Sequence, residues 1–274
     1  MKKNVYFTAM VFLAVVCFSM TIFAQSPESD WVRRYDCLRV NGPIVIDGIG
    51  NELAWQTAPE VGEFSRFNSA NYTGDDLKVP NRTTAKMLWD DENIYFLIAV
   101  DDPDIWSTMI ERDKNCLCQE ETIEIFIDPD GDGKDYAEIH INSLGTINDI
   151  WITDATMNLN GKTNEKGEPL TWPDLYAWTL EGMRYAVTNY GTVNNKSDED
   201  NGSVFEFAMP WDGFGKIAGS AVIPPGPGDV WRVNINRYER PTRGHEDLSA
   251  WAPLKRGSYH VPERFGYIKL INEK

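Results

Sequence analysis

The stretch Glu120-Glu121-Thr122-Ile123-Glu124-Ile125-Phe126-Ile127-Asp128-Pro129-Asp130-Gly131-Asp132-Gly133 concentrates the side chains best suited to ligand or metal chemistry. Alternation puts Ile123, Ile125 and Ile127 on one face of a strand and Thr122, Glu124, Phe126 and Asp128 on the other. A carboxylate beside an aromatic ring on a sheet face suits a polyhydroxylated ligand better than an apolar core. The run then enters Asp128-Pro129-Asp130-Gly131-Asp132-Gly133. Oxygen donors two residues apart with glycine at a sharp turn suit a hard cation such as calcium. The twelfth position from Asp128 is Ile139 and the flanks read as strands, so this is not an EF-hand. Two readings stay open for Asp128, Asp130 and Asp132: a partial, structural calcium loop, or a plain Asp/Gly turn.

Other chemistries find less support. His140, His245 and His260 are scattered singly, with no Gly-x-Ser-x-Gly, His-x-x-His or phosphate-binding glycine loop. Hydrolysis by paired carboxylates needs two acids facing one bond, and no motif isolates a pair among the 42 acidic residues. Aromatics are abundant, with 10 Trp, 11 Tyr and 12 Phe, and most of them must fill a core. Trp106, Trp151, Trp172, Trp178, Tyr238, Trp251 and Tyr259 lie in polar or loop contexts. As a set they favour a neutral polar ligand, because a sugar ring offers a C–H face for stacking and an edge of hydroxyls.

The elements that would position these residues are short strands. Alternation predicts strands at Ile44–Asp47, Thr83–Trp89, Ile94–Asp101, Thr122–Asp128, Tyr136–Asn142, Ile147–Thr153, Arg184–Thr188, Val204–Pro210, Val230–Tyr238 and Phe265–Ile271. Asn51–Thr57 and Trp211–Gly215 read as short helical turns. The expected fold class is all-β, a β-sandwich of about ten strands. No composition shift or internal repeat marks a boundary, so residues 25–274 are expected to form one domain.

Met1-Lys2-Lys3-Asn4, the apolar run Val5–Phe23 and Ala24 read as a signal peptide over 1–24. The expected location is secreted or periplasmic; the apolar run is also long enough for an uncleaved anchor. With 26 basic against 42 acidic residues, the surface repels nucleic acid and anionic lipid and accepts neutral ligands or cations. Cys37, Cys116 and Cys118 follow the signal, which allows one disulfide. A Cys-x-Cys ring is strained, so Cys37 with Cys116 or Cys118 is the expected bridge.

Six blocks resemble, in order, those of family 9 carbohydrate-binding modules over roughly Arg39 to Leu270. The first is Ile44-Val45-Ile46-Asp47-Gly48 followed by Glu52-Leu53-Ala54-Trp55, similar to that family's I-D-G-x-x-D/E-x-x-W opening. Lys86–Tyr95, Thr122–Asp128, Val204–Trp211, Trp231–Asn234 and Pro262–Gly266 are similar to later blocks. The resemblance implies a DOMON-like, jelly-roll sandwich with a core over 39–271, structural calcium in some members, no organic cofactor, and a mono- or oligosaccharide bound at one end without turnover. It places a sugar-contacting glutamate on Glu124 and a clamping ring on Tyr259. His140 falls where the family has a contacting arginine, and Cys118 where it has the other clamping tryptophan. Trp106, in the neighbouring loop, is the candidate replacement ring. Two alternatives accompany this reading. One is haem-linked electron transfer, since DOMON relatives include haem domains and Met87, Met109, Met157, Met183 and Met209 are present, though no Cys-x-x-Cys-His is. The other is association with glycoside hydrolase activity.

Overall fold

The computed structural model describes residues 32–68, 74–114, 116–240 and 247–272. Residues 1–24, read above as a signal peptide, and His245 lie outside them. Among the described residues twelve strands form one sheet. In chain order they are β1 (Arg34–Arg39), β2 (Ser65–Arg66), β3 (Thr83–Trp89), β4 (Asn93–Val100), β5 (Thr122–Asp128) and β6 (Lys134–Ile141). Then come β7 (Ile147–Asp154), β8 (Arg184–Asn189), β9 (Ser203–Pro210), β10 (Val230–Glu239), β11 (Asp247–Ala250) and β12 (Gly266–Ile271). Two short helices are α1 (Leu53–Thr57) and α2 (Trp172–Tyr176). Trp211–Ile217 is a 3-10 turn rather than an α-helix. No helix among the described residues is long and apolar enough to cross a membrane.

The strand order is β7-β6-β5-β10-β12-β1-β3-β4-β9-β8, with β11 added to β10 and β2 to β11. Pairing is antiparallel except that β1 runs parallel to both β12 and β3. The sheet folds over on itself. Ile123, Ile125, Ile127, Ile139 and Ile141 of β5 and β6 share one core with Met87, Phe96, Ile98, Phe205 and Phe207 of β3, β4 and β9. These strands are far apart in sheet order, so only a curled, sandwich-like sheet brings them together.

A second core covers the opposite face of β5, β6 and β7. Phe126, Tyr136, Ile150 and Ile152 pack there against Leu254, Tyr259, Val261, Phe265 and Leu175 of α2. All seven residues of β5 are buried as a result. The face carrying Glu124 is therefore covered rather than open.

Two sequence expectations are corrected. Ile44–Asp47 is not a strand. The amides of Asp47 and Gly48 donate to Glu206 Oε2 at 3.1 and 2.9 Å, and Trp55 Nε1 donates to Glu206 Oε1 at 2.9 Å. A buried carboxylate thus takes the groups that a ladder would have used. Gly48 is required in that turn: its φ is +77°, and a Cβ there would lie 3.1 Å from the Thr188 backbone nitrogen. The disulfide joins Cys116 to Cys118, with Cα atoms 5.1 Å apart. Cys37 stays a free thiol because β1 points it into the main core, where it is fully buried.

Candidate functional site

Cross-strand register assembles a polar row on the covered face of the sheet. Asn236 of β10 stands opposite Glu124 of β5, Glu124 opposite His140 of β6, and His140 opposite Asn148 of β7. All four are at most 1% exposed. His140 Nε2 lies 2.9 Å from Glu124 Oε1 and 2.8 Å from Glu138 Oε1, while Asn236 Nδ2 donates to Glu124 Oε2 at 2.6 Å. Glu138 is two residues from His140 on the same strand, so both share the face. Behind it, His260 Nε2 is 3.7 Å from Glu138 Oε2, and His260 Nδ1 is 2.8 Å from the Tyr136 hydroxyl. Burial alone would lower His140, but the two carboxylates outweigh it and hold the imidazole up at about 10. Burial would raise Glu138, and His140 outweighs it in turn, leaving that carboxyl below its ordinary value.

The residues singled out from sequence gather around Tyr238. Its hydroxyl is 3.4 Å from Glu124 Oε1, and its ring is 6.1 Å from His140 and 4.9 Å from Tyr259. Arg240 stacks over the same ring, and Trp106 Nε1 donates to the Arg240 carbonyl at 2.5 Å. Tyr259 is 4% exposed, with its hydroxyl within reach of the Arg237 and Ser249 carbonyls at 3.1 and 3.3 Å. It is a core tyrosine whose ring packs on Phe67 and Tyr238. Trp106 is half-buried. Glu138, Asn148, Asn236 and His260 went unnoticed as partners. Only Glu138 had a local signal, its two-residue spacing from His140.

Beside Trp106 lies a cluster of acids at the strand ends. Arg237 ion-pairs with Glu239 and lies 3.6 Å from Asp102, and Glu121 accepts the Trp106 amide at 3.2 Å. Asp102, Glu121, Arg237 and Tyr238 line a cavity of about 20 Å³, room for one water. Burial, reinforced by the charges of Asp102 and Glu239, pushes Glu121 up to about 10. Burial raises Glu239 to about 7 against the pull of Arg237. Arg237 here supplies the compensating cation within the structure itself.

The Asp128 loop lies at the other end of β5. Asp128 is fully buried and takes the amides of Gly131 and Gly133 at 2.9 and 3.0 Å. Asp130 accepts the Ser220 amide at 2.8 Å. Oxygen atoms of Asp128, Asp130 and Asp132 lie within 4.8 Å of one another. Burial, with some repulsion from the other two, raises Asp128 to about 6. Three converging oxygens, one buried and held in place by amides, fit a hard cation.

The acid cluster has a pH signature. An acid whose folded pKa is raised stabilises the fold below its unfolded value, near 4.5 for Glu121 and Glu239. That stability is lost as pH rises through about 7 and then about 10. Glu121→Gln is expected to flatten the alkaline fall of the melting temperature. A melting profile identical to wild type from acid to alkaline pH would contradict this.

Comparison with known proteins bears on most of the chain. No protein of curated function matches it by sequence. A family 9 carbohydrate-binding module from Caldicellulosiruptor kristjanssonii, solved with cellotriose, superimposes with a TM-score of 0.54 at 16% identity, covering 88% of this chain and 95% of that one. The glucose complex of a family 9 module from that organism gives 0.53 at 16%, covering 88% and 97%. A candidate carbohydrate-binding protein from Bacteroides uniformis gives 0.59 at 13%, covering 88% and 100%. At these identities the likeness establishes the fold. The model of the carbohydrate family 9 binding domain-like family matches residues 46–273, and the chain belongs to that family.

Proposed function

We propose that the protein binds a mono- or oligosaccharide without turning it over, outside the cytoplasm and in the service of polysaccharide breakdown or uptake. The observation that carries the reading is the spare hydrogen-bonding capacity of the polar row. Asn236 Oδ1, His140 Nδ1 and Asn148 Oδ1 are buried and make no hydrogen bond to protein. Two acceptors flanking a nitrogen are what a run of sugar hydroxyls, each both donor and acceptor, would satisfy. Unpaired groups of this kind are costly to bury, which gives a ligand that pairs them an advantage. Tyr238, half-buried beside His140, offers a ring next to the row. Family membership supports the ligand class, as do the relatives solved with cellotriose and glucose. Binding rather than turnover fits Glu124 and Glu138, which are both engaged by one imidazole instead of facing a common bond.

A structural calcium ion belongs to the same proposal. Asp128, Asp130 and Asp132 would hold it, fixing the turn between β5 and β6 and so the register of Glu124 against His140.

Calorimetric titration with glucose and cello-oligosaccharides should give binding to wild type. Glu124→Gln should weaken it by about 1.5–3 kcal/mol, the scale of the charged hydrogen bonds that hold His140 and Asn236 in the row. Unchanged affinity in a folded Glu124→Gln would refute the placement. Saturating calcium at one hundred times its Kd should add about 2.7 kcal/mol of stability. That increment should vanish in Asp128→Asn; a protein equally stable in calcium and in chelator would sink the calcium proposal.

A further inference from the structure

The carbohydrate reading uses the outward capacity of the polar row and leaves its centre to be accounted for. Glu124 Oε1 and Glu138 Oε1 both approach one nitrogen, His140 Nε2, at 2.9 and 2.8 Å. A single N–H points its proton at one acceptor, so a proton serves one carboxylate well and the other poorly. A metal ion set between the three serves all of them. Donors held about 2.0–2.2 Å from a tetrahedral zinc lie about 3.3–3.6 Å from one another, so zinc entry would move each carboxylate oxygen out from His140 Nε2 by about half an ångström.

The surroundings of these donors favour an ion as well. The near oxygen of each carboxylate faces His140, while the far oxygen of Glu124 is hydrogen-bonded from behind and that of Glu138 faces His260. Asn236 Nδ2 donates to Glu124 Oε2 at 2.6 Å, and His260 Nε2 stands 3.7 Å from Glu138 Oε2. His260 is itself oriented by the Tyr136 hydroxyl, 2.8 Å from its Nδ1. Outer partners of this kind orient ligating carboxylates. Asn236, fully buried against Glu124, keeps Oδ1 without a protein hydrogen bond beside the cluster. The three donors converge within 4.8 Å and are at most 6% exposed. An imidazole among carboxylates selects a first-row transition metal over calcium or magnesium, which prefer all-oxygen sites.

We propose that Glu124, Glu138 and His140 form a binding site for a divalent first-row transition metal, with zinc the ion to test. Binding displaces the proton from His140 Nε2 to solvent, leaving a neutral imidazole as ligand. Three protein donors leave a further coordination position open. This goes beyond the carbohydrate reading and does not rest on it.

The test is metal content of the full chain, stripped with chelator, reloaded with zinc, passed through gel filtration and analysed by elemental mass spectrometry. About one zinc per chain should be retained, undisplaced by excess calcium. Glu138→Gln and His140→Asn should each weaken retention on the order of 100-fold. Because the His140 variant places an amide in a buried ionic site and can fail to fold, zinc-edge X-ray absorption of wild type supplies a second readout. An imidazole among nitrogen and oxygen donors is expected there. No retained zinc, retention unchanged in the folded Glu138 variant, displacement by calcium, or an all-oxygen shell would each overturn the proposal. Sugar titration of the same samples separates the two readings: zinc uptake without sugar binding leaves this site standing and refutes the other.

Discussion

Strand β5 is covered on both faces, and much of the structure answers to the constraint this imposes. One face is isoleucine and joins the main core; the other carries Thr122, Glu124, Phe126 and Asp128 beneath a second apolar layer. A charge buried there must be compensated by protein, because water is not available to do it. The strand satisfies the demand differently along its length. Glu124 meets His140 and Asn236, while Asp128 meets the amides of Gly131 and Gly133. At the β5 entrance Glu121 lies beside Asp102 and Glu239, with Arg237 as their cation.

The same logic explains features that look functional in the sequence and are architectural in the structure. The Ile44–Trp55 motif wraps the carboxylate of Glu206, buried between β4 and β8. Its glycine and its indole are there to satisfy that acid. Tyr259 and Trp251 stand in polar sequence contexts yet lie in the cores, their polar atoms turned to backbone carbonyls. The pairing of the polar row is incomplete. Three of its atoms remain without a protein partner, whereas Glu206 is bonded through both oxygens.

Much of the fold was legible because alternation governs β5, β6, β9 and β10, each with one largely apolar face, and because β4 is apolar nearly throughout. The strand β1 escaped notice because Tyr35 and Cys37 alternate with charged residues, and its partners are the distant β12 and β3. Strands β2 and β11 are two and four residues long, and each exists only through pairing with another. Glu124 and His140 were found separately; that they touch is a fact of register. Asn148 and Asn236 were invisible for the same reason, since an asparagine in a strand carries no local mark of the neighbour it will face. The disulfide was misassigned because nothing local reveals that β1 turns Cys37 into the core.

The central claim is that saccharide is bound at the Asn236–Glu124–His140–Asn148 row. Hydrogen–deuterium exchange of the intact chain with and without cellotriose addresses it most directly. Binding at the row predicts slowed exchange concentrated in β5, β6, β7 and β10. Protection confined to the open groove at Asp91, Arg184 and Asp212, or no change at saturating sugar, would contradict it.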